Sequence, residues 1–234
     1  MDPIRLLSRS GVAKARPAMK RRIAAVLAAD IVGYSRLSSD DEEETVRRLT
    51  ICRKVFDETT AQNRGRVVNM VGDAVLAEFP NAVDAIRCAI HTQEVIRVGN
   101  LDFPANQAMS VRIGITVGDI IDKDGQLFGD TVNIAARLES LCAPGGICVS
   151  RIVYEHVMNE VSAQFEDIGE LYVKNIQTPV HAYMIAPYRG AREGSGGSAS
   201  KDTARLQRLT IGAAILLAVA ASFATALSLY RSSR

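Results

Sequence analysis

The chain predicts an α+β sandwich, with helices laid on a mostly antiparallel sheet. Three observations lead there. Short apolar runs of strand length recur in pairs around turn residues, which reads as hairpins. Longer stretches with helical periodicity separate them. Hydrophobic residues make up 47% of 234 residues, enough for the core of one ordinary domain plus an appendage.

The elements follow in order. Residues 23–30 form a strand, in which the apolar run Ile23-Ala24-Ala25-Val26-Leu27-Ala28-Ala29 is closed by Asp30. Residues 40–62 form a helix, whose opening run Asp40-Asp41-Glu42-Glu43-Glu44 suits the positive end of the helix dipole. Residues 66–79 form a hairpin turning at Gly72-Asp73, and 82–98 a second helix. A second hairpin is expected over 109–122. Residues 131–141 form a third helix, with Asp130 as N-cap and Ile134, Leu138 and Leu141 as its apolar stripe. Pro144-Gly145-Gly146 stops it. A strand at 147–150, a short helix at 152–158 and strands near 171–173 and 180–185 complete the domain.

The folded domain is expected over 20–187. Ahead of it, 1–19 is a basic arm, with Arg5, Arg9, Lys14 and Arg16 against a single acid, Asp2. Such an arm either lies on anionic lipid or is a disordered leader. It holds no apolar core of the length a secretory signal needs. Residues 188–208 read as a Gly/Ser-rich flexible linker. Residues 209–230 carry no charge and end at Arg231, long enough for a transmembrane helix. Lys201, Arg205 and Arg208 precede that segment, so the positive-inside bias places the domain in the cytoplasm, on a single-pass anchor in the inner membrane. Along it Thr210, Ala214, Ala218, Ser222 and Ala226 make a small-residue stripe.

Composition narrows the chemistry. A net charge of +2 does not suit a nucleic-acid-binding protein. Cys52, Cys88, Cys142 and Cys148 lack metal-type spacing and read as buried apolar residues in a reducing compartment. His91, His156 and His181 are scattered and do not suggest a zinc site.

Two acidic residues stand at strand ends: Asp30, and Asp73 at the tip of Val71-Gly72-Asp73-Ala74-Val75. Paired carboxylates of this kind suit Mg²⁺, which takes hard oxygen ligands and keeps coordination positions for substrate phosphates. Two such ions can activate an attacking oxygen and hold a leaving one. Farther on, Asn133 and Arg137 are four residues apart and share a helix face. An amide and a guanidinium displayed together suit a ribose and a transferring phosphoryl group.

With these motifs the chain resembles the class III nucleotidyl cyclases, the adenylate and guanylate cyclase catalytic domain. The resemblance covers about residues 21–186. It rests on Leu27-Ala28-Ala29-Asp30-Ile31-Val32-Gly33-Tyr34-Ser35, on Val71-Gly72-Asp73-Ala74-Val75, on Arg112-Ile113-Gly114-Ile115, and on Gly129-Asp130-Thr131-Val132-Asn133-Ile134-Ala135-Ala136-Arg137. It implies a ferredoxin-like palm. It implies Asp30 and Asp73 as metal ligands for two Mg²⁺ or Mn²⁺ ions, with the carbonyl of Ile31 assisting. Asn133 orients the ribose and Arg137 stabilises the α-phosphate in the transition state. Lys174 is similar to a family lysine that contacts the triphosphate. The amides of Gly33, Tyr34 and Ser35, leading into a helix, can cradle phosphate. The family's metal and transition-state residues come from opposite protomers, so a homodimer is expected.

Two positions depart from the adenylate cyclase pattern. Asn69 stands where a lysine is usual, four residues before Asp73, and Gln126 where Asp or Thr is usual, seven before Asn133. These side chains read the purine edge. A carboxamide both donates and accepts, so it can face adenine or guanine. The expected activity is conversion of ATP to 3′,5′-cyclic AMP and pyrophosphate. A guanylate or dual-specificity cyclase, a non-catalytic nucleotide-binding or dimerisation module, and a polymerase or diguanylate-cyclase palm are the alternatives.

Overall fold

A computed structural model describes residues 19–101, 103, 107–172 and 179–186. The basic arm up to residue 18, Lys174, the linker and the 209–230 segment lie outside the described residues. Among the described residues no helix is long and apolar enough to cross a membrane.

The elements run β1 (Lys20–Ile31), α1 (Tyr34–Asp40), α2 (Glu42–Gln62), β2 (Arg66–Val71), β3 (Ala74–Phe79) and α3 (Ala82–Gly99). Then come β4 (Val111–Lys123), β5 (Gln126–Phe128), α4 (Asp130–Leu141), β6 (Ile147–Ser150), α5 (Arg151–Val157), β7 (Glu166–Leu171) and β8 (Val180–Ile185). The sheet order is β2-β3-β1-β4-β6-β8-β7, with β5 paired to β4. Every pairing is antiparallel except β4 with β6. This is the expected α+β sandwich on a mostly antiparallel sheet.

The apolar run of β1 is continuous because β1 is central and covered on both faces. Ala25, Leu27, Ala29 and Ile31 enter one core with α2, α3 and α5. Ala24, Val26 and Ala28 enter the other, with Ala135 of α4. The helices are therefore unequally shared: α1, α2, α3 and α5 contribute to one face, and α4 covers the other.

Several local expectations are corrected. Residues 109–122 are not a hairpin. They belong to one strand, β4, which pairs with β1 without a break from Val111↔Ile31 to Asp122↔Lys20. The turn comes later, at Asp124-Gly125, both with positive φ, and leads into β5. The glycines inside β4 serve packing instead. A Cβ on Gly114 would lie 2.2 Å from Ala135 O and Glu139 N, and one on Gly118 2.7 Å from Thr131 Oγ1. Backbone of α4 thus rests directly on the strand.

The expected helix over 40–62 is α2, whose start moves to Glu42 because Asp40 ends the separate short helix α1. Asp41 between them is extended, and its carboxylate accepts from Glu44 N at 3.1 Å. The cap thus forms one residue inside the acidic run. In α4 the N-cap is Gly129, not Asp130, which is the first helical residue and makes no side-chain capping bond. The buried stripe of α4 runs Thr131, Ala135 and Leu138, while Leu141 is 53% exposed. The small residues at the glycine contacts set the phase of the helix. Near 171–173, the strand ends at Leu171.

Candidate active site

Asp30 sits at the end of β1, and Asp73 follows Gly72, which has φ 60, in the β2–β3 turn. The register Ala29↔Val75 brings that turn beside Asp30. The two carboxylates lie near enough to act on each other electrostatically. Burial, first, and the facing Asp30 push Asp73 above its ordinary range; a backbone N–H and Arg112 pull it back.

Arg112 lies opposite Asp30 on β4 and donates to Asp30 Oδ2 at 2.8 Å. Its Nε stands 3.0 Å from Glu139 Oε1 of α4, but the N–H is not aimed at the oxygen, and both atoms are buried without a hydrogen bond. Burial pushes Glu139 up to about 7, with Asp30 and Asp73 adding to the shift and Arg112 opposing it. The turn is held from the other face: Arg53 of α2 donates through Nη2 to the carbonyl of Gly72. Arg112, Glu139 and Arg53 were not identified from the sequence. Arg112 lies in a quoted motif, but its partner became visible only once β1 and β4 were in register.

These groups fit a divalent ion. Asp30 and Asp73 offer converging hard oxygens, and the backbone of Ile31 continues the same strand end. No third His, Cys, Asp or Glu closes a three-ligand cage among the described residues. That matches a Mg²⁺ held by two carboxylates with phosphates completing its shell. Next to this end of the sheet, Gly33 has φ 70 and forms the N-cap of α1. Tyr34 packs on the core and Ser35 is exposed, and α1 begins three residues after Ile31 ends β1.

The other predicted residues are placed elsewhere. Asn133 and Arg137 are exposed on α4, and no ion pair or side-chain hydrogen bond among the described residues engages them. Arg137 and Glu139 are two positions apart, about 200° around a helix. Glu139 faces Arg112, so Arg137 points away from its own chain's carboxylates. Asn69 is exposed on β2 and Gln126 is exposed at the start of β5, and β2 and β5 touch. One chain therefore assembles two separate groups, a carboxylate end and an outward polar face. Two clefts open elsewhere, of about 260 Å³ beside Arg66 and about 440 Å³ beside Arg48, and neither touches Asp30 or Asp73.

The family model for the adenylate and guanylate cyclase catalytic domain matches residues 18–187. The chain belongs to this family. It is 41% identical to the crystal structure titled adenylate/guanylate cyclase/hydrolase from Silicibacter pomeroyi, with a TM-score of 0.70, covering 73% of this chain and all of that one. It is 42% identical over 180 residues to the "Putative adenylate cyclase 3" of Rhizobium meliloti, covering 76% of this chain and 31% of that protein. A pH-sensitive adenylate cyclase of Mycobacterium tuberculosis is 26% identical over 194 residues, 81% of this chain and 47% of that protein. The chain thus spans between about a third and a half of these two curated relatives. The cyclase palm fold is the fold seen here.

Proposed function

We propose that this cyclase domain converts ATP to 3′,5′-cyclic AMP and pyrophosphate as a homodimer with two equivalent sites. The observation that carries the reading is the opposed placement on α4: Glu139 faces the chain's own carboxylates, and Arg137 faces away from them. Asp30 and Asp73 of one chain then meet Asn133 and Arg137 of a second copy. A related chain is named adenylate cyclase in each of the two curated relatives above, which supports ATP as substrate.

Asp30 and Asp73, with the Ile31 carbonyl, would hold Mg²⁺ or Mn²⁺, two ions per site. Bound there, the ions lower the pKa of the ribose 3′-hydroxyl and neutralise the triphosphate. The residues of the chain do the rest. Asn133 orients the ribose. The 3′-oxygen bonds to the α-phosphorus, the bond to the bridging oxygen breaks, the hydroxyl proton departs to water and pyrophosphate leaves. Arg137 stabilises the charge that develops on the α-phosphoryl oxygens. Arg112 adds a fixed cation beside the phosphates, and the amides of Gly33, Tyr34 and Ser35, with Lys174, receive them. Asn69 and Gln126 face the base. Because both are amides, GTP is the second substrate this pair can accommodate.

The sequence further supports a tether. The uncharged 209–230 segment behind the 188–208 linker would anchor the chain in the inner membrane with the cyclase domain in the cytoplasm. The purified full chain, incubated with each nucleoside triphosphate and Mg²⁺ or Mn²⁺, should release cyclic AMP and pyrophosphate in equal amounts. Nucleotide binding without any cyclic product would overturn the enzyme reading in favour of a binding module. Carbonate extraction of membranes tests the anchor, which fails if the chain is released.

A further inference from the structure

We infer that Arg66 is a positioning residue for base selection, fixing the spacing between Asn69 and Gln126. The inference rests on the reading that these two amides face the purine. Neither amide has a side-chain partner among the described residues, so each depends on its backbone for position. The two backbones are on different elements. Asn69 is on β2, on the far side of β3 and β1 from β4. Gln126 begins β5, just after the Asp124-Gly125 turn.

One side chain bridges them. Arg66 starts β2, three residues before Asn69. Its Nη1 donates to Gly125 O at 3.0 Å, the carbonyl directly preceding Gln126. Its Nη2 donates to Asp122 Oδ2 at 3.2 Å and its Nε to Glu78 Oε1 at 2.8 Å. Asp122 closes the turn from the other side, accepting from Gly125 N at 3.1 Å. Arg22 of β1 pairs with Glu78 and reaches Asp122 at 3.5 Å. The Glu78 side chain is 10% exposed and that of Asp122 24%, so the network is shielded on its acidic side. Two guanidiniums and two carboxylates thus tie β1, β2, β3 and the β4–β5 turn together.

A guanidinium is suited to this task. It presents five donors in a rigid fork, and three of its directions are used here. Lysine can make the ion pair but cannot span the three acceptors at once. The β2 side carries a register shift between Val67 and Asn69, so the ladder there does not fix the strand alone. The Arg66 bridge supplies the missing constraint. When it is lost, the base that fits the fixed spacing better loses more than the other, and the ratio of the two rates moves toward one.

The test compares kcat/KM for ATP and GTP in the full-length chain, wild type against Arg66→Gln, Arg66→Lys and Asp122→Asn. A displacement of order 1 Å costs up to about a hundredfold, so the ratio should move toward one by about fivefold or more in Arg66→Gln. Arg66→Lys should move it less, and Asp122→Asn should move it in the same direction. A merely structural role would lower both rates together and leave the ratio unchanged. Asn69→Ala/Gln126→Ala is the control for the underlying reading. If the double variant shifts the ratio and neither Arg66→Gln nor Asp122→Asn does, Arg66 is not a positioning residue. If the double variant leaves the ratio unchanged, the amides do not read the base, and the inference falls with them. Should Arg66→Gln fail to fold, the Asp122→Asn result decides.

Discussion

The carboxylate end of the sheet and the outer face of α4 are built on opposite plans. At the carboxylate end the charges crowd together: Asp73 faces Asp30, Asp30 accepts from Arg112, and Arg112 stands against Glu139. On the outer face Asn133 and Arg137 meet solvent. The first plan suits groups that must be fixed before a cation and a triphosphate arrive. Polar groups inside a low-dielectric end of a sheet are costly unless paired. The second suits groups completed by another molecule. In water an unpartnered Arg costs nothing, and it becomes strong when a partner surface excludes water around it. The difference teaches that solvent exposure of a proposed reaction residue is compatible with a shared site.

The largest test of this contrast separates the two regions by mutation. Asp73→Ala disables the carboxylate end and Arg137→Ala the outer face. Each homodimer should lose activity by orders of magnitude. Mixed in one preparation, they should recover activity above either mutant alone, about a quarter of wild-type rate where the two sites act independently, since half the dimers are mixed and each keeps one intact site of two. Dimers that form yet stay inactive would place both groups in one chain's site. Mn²⁺ should raise the Tm of the wild type and of Arg137→Ala but not of Asp73→Ala, which localises the ion without any turnover.

Gly114→Ala attacks what the two regions share. The added Cβ would meet α4 backbone at 2.2 Å. Urea unfolding should show a loss of at least about 2 kcal/mol, and activity should fall with it. Full stability and full activity would mean that α4 can slide on β4.

A smaller effect belongs to the outward residues alone. Asn69→Lys with Gln126→Asp should sharpen the preference for ATP, by about tenfold if one donor–acceptor pair is gained. A wild-type preference already above about a thousandfold would contradict the adaptable-amide reading.

The smallest belongs to Glu139. Its carboxyl is raised from 4.5 to about 7 in the fold. The folded chain therefore binds the proton more tightly than the unfolded chain. Stability from this group is present at low pH and is lost as pH rises from about 4.5 toward 7. In metal-free protein Glu139→Gln should flatten the decline of Tm over that window. An unchanged profile would mean that Arg112 already holds Glu139 ionised.

Much of this arrangement was legible in the chain. The apolar run before Asp30, the turn at Gly72-Asp73 and the helix carrying Asn133 and Arg137 follow from local pattern. What escaped depends on pairing at long range. Gly114 and Gly118 lie on one face of β4 and clear a path for α4, but in sequence they look like breaks in a strand. The phase of α4 followed that contact and not the larger side chains, which is why Ala135 is buried and Leu141 is not. Arg112 and Glu139 are ordinary charged residues until β1, β4 and α4 are in place. The exact start of α2 turned on a single residue, Asp41, whose capping bond no periodicity could reveal.

The contact of α4 with β4 has a mechanical consequence. Backbone against backbone leaves no side chain between them to bend, so the helix moves with its strand as one stiff piece. Glu139 on one side of this rod attends its own chain's carboxylates; Arg137 on the other, in the proposed dimer, attends those of the neighbour. In that dimer α4 would be a direct link between the two reaction centres, and a displacement that accompanies substrate at one would pass along it to the other. Turnover at the two centres should accordingly be coupled, and a plot of rate against ATP should depart from a simple hyperbola.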